Sequence, residues 1–226
     1  MSHGVMGRQM KVLFLMQVQL EARKRYVLFS IVLYLISLVF VNYLALTHIS
    51  IGSQPGLWSA LFWMALLSVV ISSIGKSFMA ERPGMFIYLY YLTSPGKIIL
   101  SKILYGFFLS SLVSVMGYLV FALMLANPIQ DMFLFILTII LACYGFSASL
   151  TLLSGIAAKT SNGNILMAVL SFPVIIGILL MSIQITKNCI DGIDPSASYD
   201  ELLTLGAINL LVSAVSYLLF PYIWRS

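Results

Sequence analysis

The sequence predicts an all-α integral membrane protein with six transmembrane helices. Three observations carry that fold class. Hydrophobic residues make up 61% of the 226-residue chain and charged residues only 8%, with a mean hydropathy of +1.05, whereas a soluble domain carries roughly 25% charged residues. Six apolar runs are each long enough for a bilayer core about 30 Å thick, which takes roughly 20 residues of helix. The lysines and arginines fall almost entirely on one side of those runs.

The elements follow in order, within a single membrane domain, residues 1–226, and no second, water-soluble domain is expected. Residues 1–25 contain Arg8, Lys11, Arg23, Lys24 and Arg25, and their longest apolar stretch is Val12 to Met16. That stretch is too short for a signal-peptide core, and the reading is a cytoplasmic elbow helix lying on the membrane surface. The expected spans are residues 26–47, 57–79, 98–125, 132–158, 165–186 and 202–224. The third and fourth exceed one bilayer thickness, which implies tilt or continuation into the aqueous layer. Lys76 and Lys102 lie near span ends, where a long side chain reaches the interface. In the fifth span, Pro173 with Gly177 predicts a kink or a local break. The acidic, turn-rich stretch from Asn188 to Glu201 reads as an outer loop, a lid or a simple connector. Continuous apolarity without alternation argues against membrane strands.

With the N-terminus placed inside and six spans threaded, eleven of the twelve basic residues fall on the inner side, and only Lys187 falls outside. Five of the seven acids, Asp131, Asp191, Asp194, Asp200 and Glu201, fall outside. Lysine and arginine bias sets topology, so both termini are expected in the cytoplasm. The net charge of +5 is then an orientation signal with some attraction to anionic lipid. A nucleic-acid footprint would need a basic face on a folded soluble domain, and none is expected.

Several chemistries are argued against. No Asp or Glu lies inside an expected span, unlike ion-coupled carriers, which hold ionisable groups at mid-membrane. The two histidines, His3 and His48, lie outside the deep parts of the spans, which argues against an intramembrane Ser–His hydrolase. Cys143 and Cys189 are isolated and read as a small buried hydrophobe and an incidental loop thiol. Neither Gly75-Lys76-Ser77 nor Gly96-Lys97 has the first glycine or the full spacing of a phosphate loop. No catalytic, cofactor or metal residue is therefore expected, and any ATP hydrolysis belongs to another subunit.

Two stretches stand out. Residues 81–97 hold Glu81-Arg82-Pro83-Gly84, then Met85 to Leu92 with Tyr88, Tyr90 and Tyr91, then Thr93-Ser94-Pro95-Gly96-Lys97. Proline and glycine breaks bracket a short element whose tyrosines suit the membrane interface. An aromatic-anchored re-entry turn would share this composition. The sharper reading is a docking element for a cytoplasmic partner, with Glu81, Arg82, Gly84, Tyr88, Tyr90, Ser94 and Pro95 as its candidate residues. On the fourth span, Ser147, Thr151, Ser154 and Ala158 follow helical spacing, with Gly145 and Ser149 on an adjacent row. Small residues let helix backbones approach closely, and ordinary packing within one subunit accounts for them most simply.

The order of motifs also resembles a known family. After the basic elbow come Glu81-Arg82-x-Gly84, Ser94-Pro95 and Ser101-Lys102, then Asn127-Pro128, Ser154-Gly155-x-Ala157-x-Lys159 and Leu170-x-x-Pro173. The tail reads Ser198-Tyr199-Asp200-Glu201-Leu202-Leu203 and later Phe220-Pro221-Tyr222-x-Trp224-Arg225. This resembles the CcmB family, the heme exporter protein B permeases of the ABC-type cytochrome c maturation complex, in versions from Bacteroidetes-type bacteria. The resemblance implies an ABC-2 type permease-like fold in the bacterial cytoplasmic membrane. It also implies a separate CcmA-like ATPase subunit and a CcmC-like heme-handling membrane subunit. Heme is then a transported or handled substrate, ATP is bound on the partner subunit, and a homodimer within the complex is among the expected assemblies. A heme-ligand role for His48 is disfavoured against an interfacial or capping one, and the twelve methionines read as packing fillers. An ABC-2 type permease exporting lipid, polysaccharide or drug is the alternative.

Overall fold

The computed structural model describes residues 25–46, 54–74, 95–125, 127–160 and 163–225. The described residues form six α-helices and one 3-10 turn, with no strand among them. The helices are α1 (Arg25–Leu46), α2 (Pro55–Ile74), α3 (Pro95–Leu125), α4 (Met132–Ala157), α5 (Gly163–Asp191) and α6 (Tyr199–Arg225), with the 3-10 turn at Pro195–Ser198 between the last two. Helices prevail because hydrocarbon offers no water to unpaired backbone groups, and a helix pairs them within itself. The helices α2 to α6 are each long and apolar enough to cross a membrane, and α1 carries a shorter apolar stretch, Phe29–Leu44.

The central helix is α4, where every residue from Gly145 to Gly155 is buried. It packs on α3, α5 and α6, while α1 lies at the edge against α2 and α3, touching the bundle through Leu35 and Val39. An aromatic nest fills one half of the core. Trp58 stacks on Phe62 at 5.3 Å, and Phe62 meets Phe121 edge-on at 5.4 Å and Phe135 at 5.6 Å. Each such pair adds about 0.5–1.5 kcal/mol beyond area burial. The outward rows remain apolar: Ile165, Val169, Phe172 and Leu180 on α5, and Leu203, Leu210, Leu218 and Tyr222 on α6, are exposed. Patches that large are unsuited to water and match a lipid-facing surface.

Several expectations need correction at the ends of elements. The expected loop from Asn188 onward is helix as far as Asp191, and α6 begins at Tyr199. The extra turn of α5 persists because its carbonyls are met from outside: the backbone N–H groups of Gln130 and Asp131 donate to Cys189 C=O at 3.0 and 3.3 Å, and Gln130 Nε2 donates to Ile190 C=O at 3.0 Å. Gly192 then turns the chain at φ +64°, where a Cβ would meet the Gln130 carboxamide. Asn188 Nδ2 donates to Ser198 Oγ at 2.9 Å, pinning the 3-10 turn. Cys189 is therefore buried in a helix end rather than placed in a loop. Of the kink or local break expected in the fifth span, the break is absent, for α5 runs through Pro173 without interruption. Proline there costs one hydrogen bond, to the Val169 carbonyl, and lies on the exposed face of the helix. Lys102, near the start of α3, is buried. At 31 residues, α3 is about 46 Å long at 1.5 Å per residue, well beyond one bilayer core.

Candidate coupling and packing sites

Glu81, Arg82, Gly84, Tyr88, Tyr90 and Ser94 lie outside the described residues, as do His48 and all of the elbow but Arg25, which opens α1. Pro95 opens α3, the first-turn position where a missing N–H does no harm. The next residue, Gly96, sits against the Tyr217 ring of α6, where a side chain would collide. The C-terminal end of the 81–97 stretch is thus the first turn of a long helix, held against α6.

The small residues of α4 all turn into the bundle. Ser147 Oγ donates to Ile103 C=O of α3 at 2.7 Å and occupies the space that a Cβ on Gly106 would need. Ser154 is fully buried. Ser149 and Thr151 are buried with hydroxyl oxygens that meet no partner within the described structure. Ala158, one residue past α4, is exposed. Gly177 of α5 makes ordinary contact with Ile208 of α6. One level further along, Ser110 Oγ reaches Cys143 C=O at 3.3 Å and Ser114 Oγ lies 3.1 Å from Cys143 Sγ, closing the α3–α4 seam.

Asn209 of α6 joins this packing, and its role was not anticipated. It is 4% exposed. Its Nδ2 donates to Leu141 C=O at 2.8 Å, and its Oδ1 occupies the notch left by the missing Cβ of Gly145. The Oδ1 has no N–H or O–H partner among the described residues. One turn on, Ser213 Oγ donates to Asn209 C=O at 2.7 Å. That bond uses the serine proton, so Tyr144 Oη donates to Ser213 Oγ across 2.8 Å. The amide and the relay lie near the middle of α4 and α6, beside a groove of about 550 Å³ lined by Leu141, Tyr144, Gly206, Leu210 and Ala214. A lone amide within an apolar run was the available signal, because intramembrane polar side chains serve as interhelical contacts. Among the described residues no cluster of three His, Cys, Asp or Glu forms a metal site.

The architecture is that of a polytopic α-helical membrane protein, its described contacts made between helices. The chain belongs to the CcmB family: the family model described as CcmB protein matches residues 8–221. That family comprises the membrane permease subunit of heme export in cytochrome c maturation, a multi-pass protein of the inner membrane. No curated protein and no solved structure matches the chain.

Proposed function

We propose that this chain is the permease subunit of an ABC-type complex in which a separate CcmA-like subunit hydrolyses ATP. The resulting rearrangement of the six helices transfers or releases heme on the outer side of the cytoplasmic membrane. A CcmC-like membrane subunit handles heme beside it, and two copies of the chain assemble within the complex. The family match across residues 8–221 carries this reading.

The bundle supports a mechanical role. Residues 81–97 form the cytoplasmic contact with the ATPase, with both termini on the same side. A push on that segment reaches the first turn of α3 at Pro95. Because α3 is one unbroken helix, the displacement is delivered to the Asn127–Asp131 turn. That turn is bonded to the last turn of α5 through Cys189 and Ile190, so α3 and α5 move together at the far end. Heme passes as substrate, and the chain supplies the moving wall rather than an ATP site.

The test is co-purification of the tagged chain with the ATPase and the heme-handling membrane subunit. Recovery of both is expected. Recovery of an ATPase together with a lipid-, polysaccharide- or drug-export partner, and without the heme-handling subunit, would overturn the heme reading.

A further inference from the structure

The groove between α4 and α6 carries a feature that a purely lipid-facing surface does not need. Its lip is apolar and open: Leu210 is 74% exposed, and a Cβ added to Gly206 would meet nothing within 4 Å. Its wall is polar, for Tyr144, Asn209 and Ser213 are among the residues that line it. Tyr144 stands near the midpoint of α4 and Ser213 near that of α6, roughly 18–20 Å from the nearest helix end at 1.5 Å per residue. Polar groups at that depth in a membrane are costly and mark contacts or sites.

The hydrogen bonds decide what that wall can offer. Ser213 Oγ gives its proton to Asn209 C=O at 2.7 Å, and Tyr144 Oη gives its own to Ser213 Oγ across 2.8 Å. Both hydroxyl protons are spent, and oxygen lone pairs remain. Asn209 Nδ2 is committed to Leu141 C=O, and at 4% exposure the amide backs the wall rather than projecting from it. The wall therefore accepts hydrogen bonds. An acyl chain has none to give, and phospholipid headgroups stay outside a hydrocarbon core about 30 Å thick. None of the described residues that line the groove is charged, so a carboxylate or phosphate would lie there without a counter-charge, which burial penalises heavily. What fits is an uncharged, mainly apolar molecule that carries an O–H group to mid-membrane and suits a volume of about 550 Å³. A lipid-soluble quinol, with ring hydroxyls on an apolar body, answers that description.

We propose that the α4–α6 groove binds a lipid-soluble quinol, a ring hydroxyl donating to the Tyr144–Ser213 pair and the apolar ring lying over Gly206. The matching quinone has carbonyls in place of the hydroxyls and no proton to give, so the site prefers the reduced form. The assignment is one of binding, with no electron transfer in it, and it does not depend on the heme reading.

The experiment titrates the purified full-length chain in detergent with a short-tailed benzoquinol kept reduced, and separately with its quinone. The readout is Tm, which a ligand of the folded state raises with concentration. A saturable rise is expected with the quinol, half-complete at a concentration at least fivefold lower than with the quinone. Gly206→Leu fills the open space. Its ligand-free Tm is expected to stay near the wild-type value, because a Cβ there meets no neighbour, while quinol binding weakens at least tenfold. The double variant Tyr144→Phe, Ser213→Ala removes both hydroxyls together, so neither is left stranded, and it is expected to bind quinol and quinone alike. Should the double variant not fold, the wild-type preference and Gly206→Leu still decide. Equal half-saturation by quinol and quinone in the wild type, a quinol curve unchanged in Gly206→Leu, or a preference kept by the double variant overturns the site. A rise that never saturates marks partition into detergent and overturns it too. Loss of a co-purified membrane subunit in Gly206→Leu, with no quinol effect in the wild type, assigns the groove to a partner helix instead.

Discussion

At the scale of single residues, the contact between Gly145 and Asn209 is a packing constraint with a measurable signature. The Oδ1 of Asn209 fills the position of a Cβ on Gly145, so Gly145→Ala forces α6 away from α4. Overpacking of this kind costs about 1–3 kcal/mol. Asn209→Ala loses the bond to Leu141 C=O, and interhelical hydrogen bonds in membranes average about 0.6 kcal/mol. The two changes are expected to be non-additive, because Asn209→Ala also removes the atom that Gly145→Ala collides with. Thermal unfolding of the two single mutants and the double mutant in detergent measures this. A double mutant more stable than Gly145→Ala alone is predicted, and strict additivity would place the steric contact elsewhere. The amide of Asn209 within an apolar run was the only signal available in the sequence, and its register against Gly145 was not legible because it depends on how α4 and α6 cross. The burial of Lys102 escaped notice for the same reason: sequence gives its distance from a span end but not which face of α3 meets the bundle.

At the scale of elements, the existence of the helices was plain from apolar run length, but their ends were not. The α5 helix outlasts its apolar run because Gln130 and Asp131 satisfy its terminal carbonyls, a tertiary effect invisible in local composition. Pro173 suggested a kink or a break, and α5 is not broken there: on the exposed side of the helix the missing N–H is accommodated within a continuous run. Within the 81–97 segment, Pro95 was read as the end of a breaker and is the start of α3. Arg82 offers a planar donor fork suited to a partner carboxylate. The Arg82→Glu variant is expected to insert and fold normally while weakening ATPase binding, by about 2–5 kcal/mol if that contact is desolvated and by little if it lies at a wet rim. Pull-down of the ATPase by Arg82→Glu and by the Tyr88→Ala, Tyr90→Ala double mutant, normalised to membrane level, is the check. Wild-type recovery by both would move the docking site to another cytoplasmic element, with the N-terminal elbow next in line.

At the scale of the whole molecule, the asymmetry of charge and the asymmetry of packing agree. The five acids at the Asp131–Glu201 end surround a bonded platform of the α3–α4 turn, the last turn of α5 and the 3-10 turn. The opposite end carries Pro95, Lys97 and Lys102 on α3 and Lys159 after α4. With the basic side inward, a reporter active only outside the cytoplasm is expected to stay silent when fused to the C-terminus, and strong activity would contradict the six-span topology. The bundle is proposed to serve heme delivery for cytochrome c maturation. The most direct test is the amount of covalently heme-loaded c-type cytochrome in cells depleted of this chain, read by heme staining of denaturing gels. Depletion is expected to remove the heme-stained c-type bands, and restoring the wild-type chain is expected to return them. Undiminished holocytochrome c in depleted cells would contradict it.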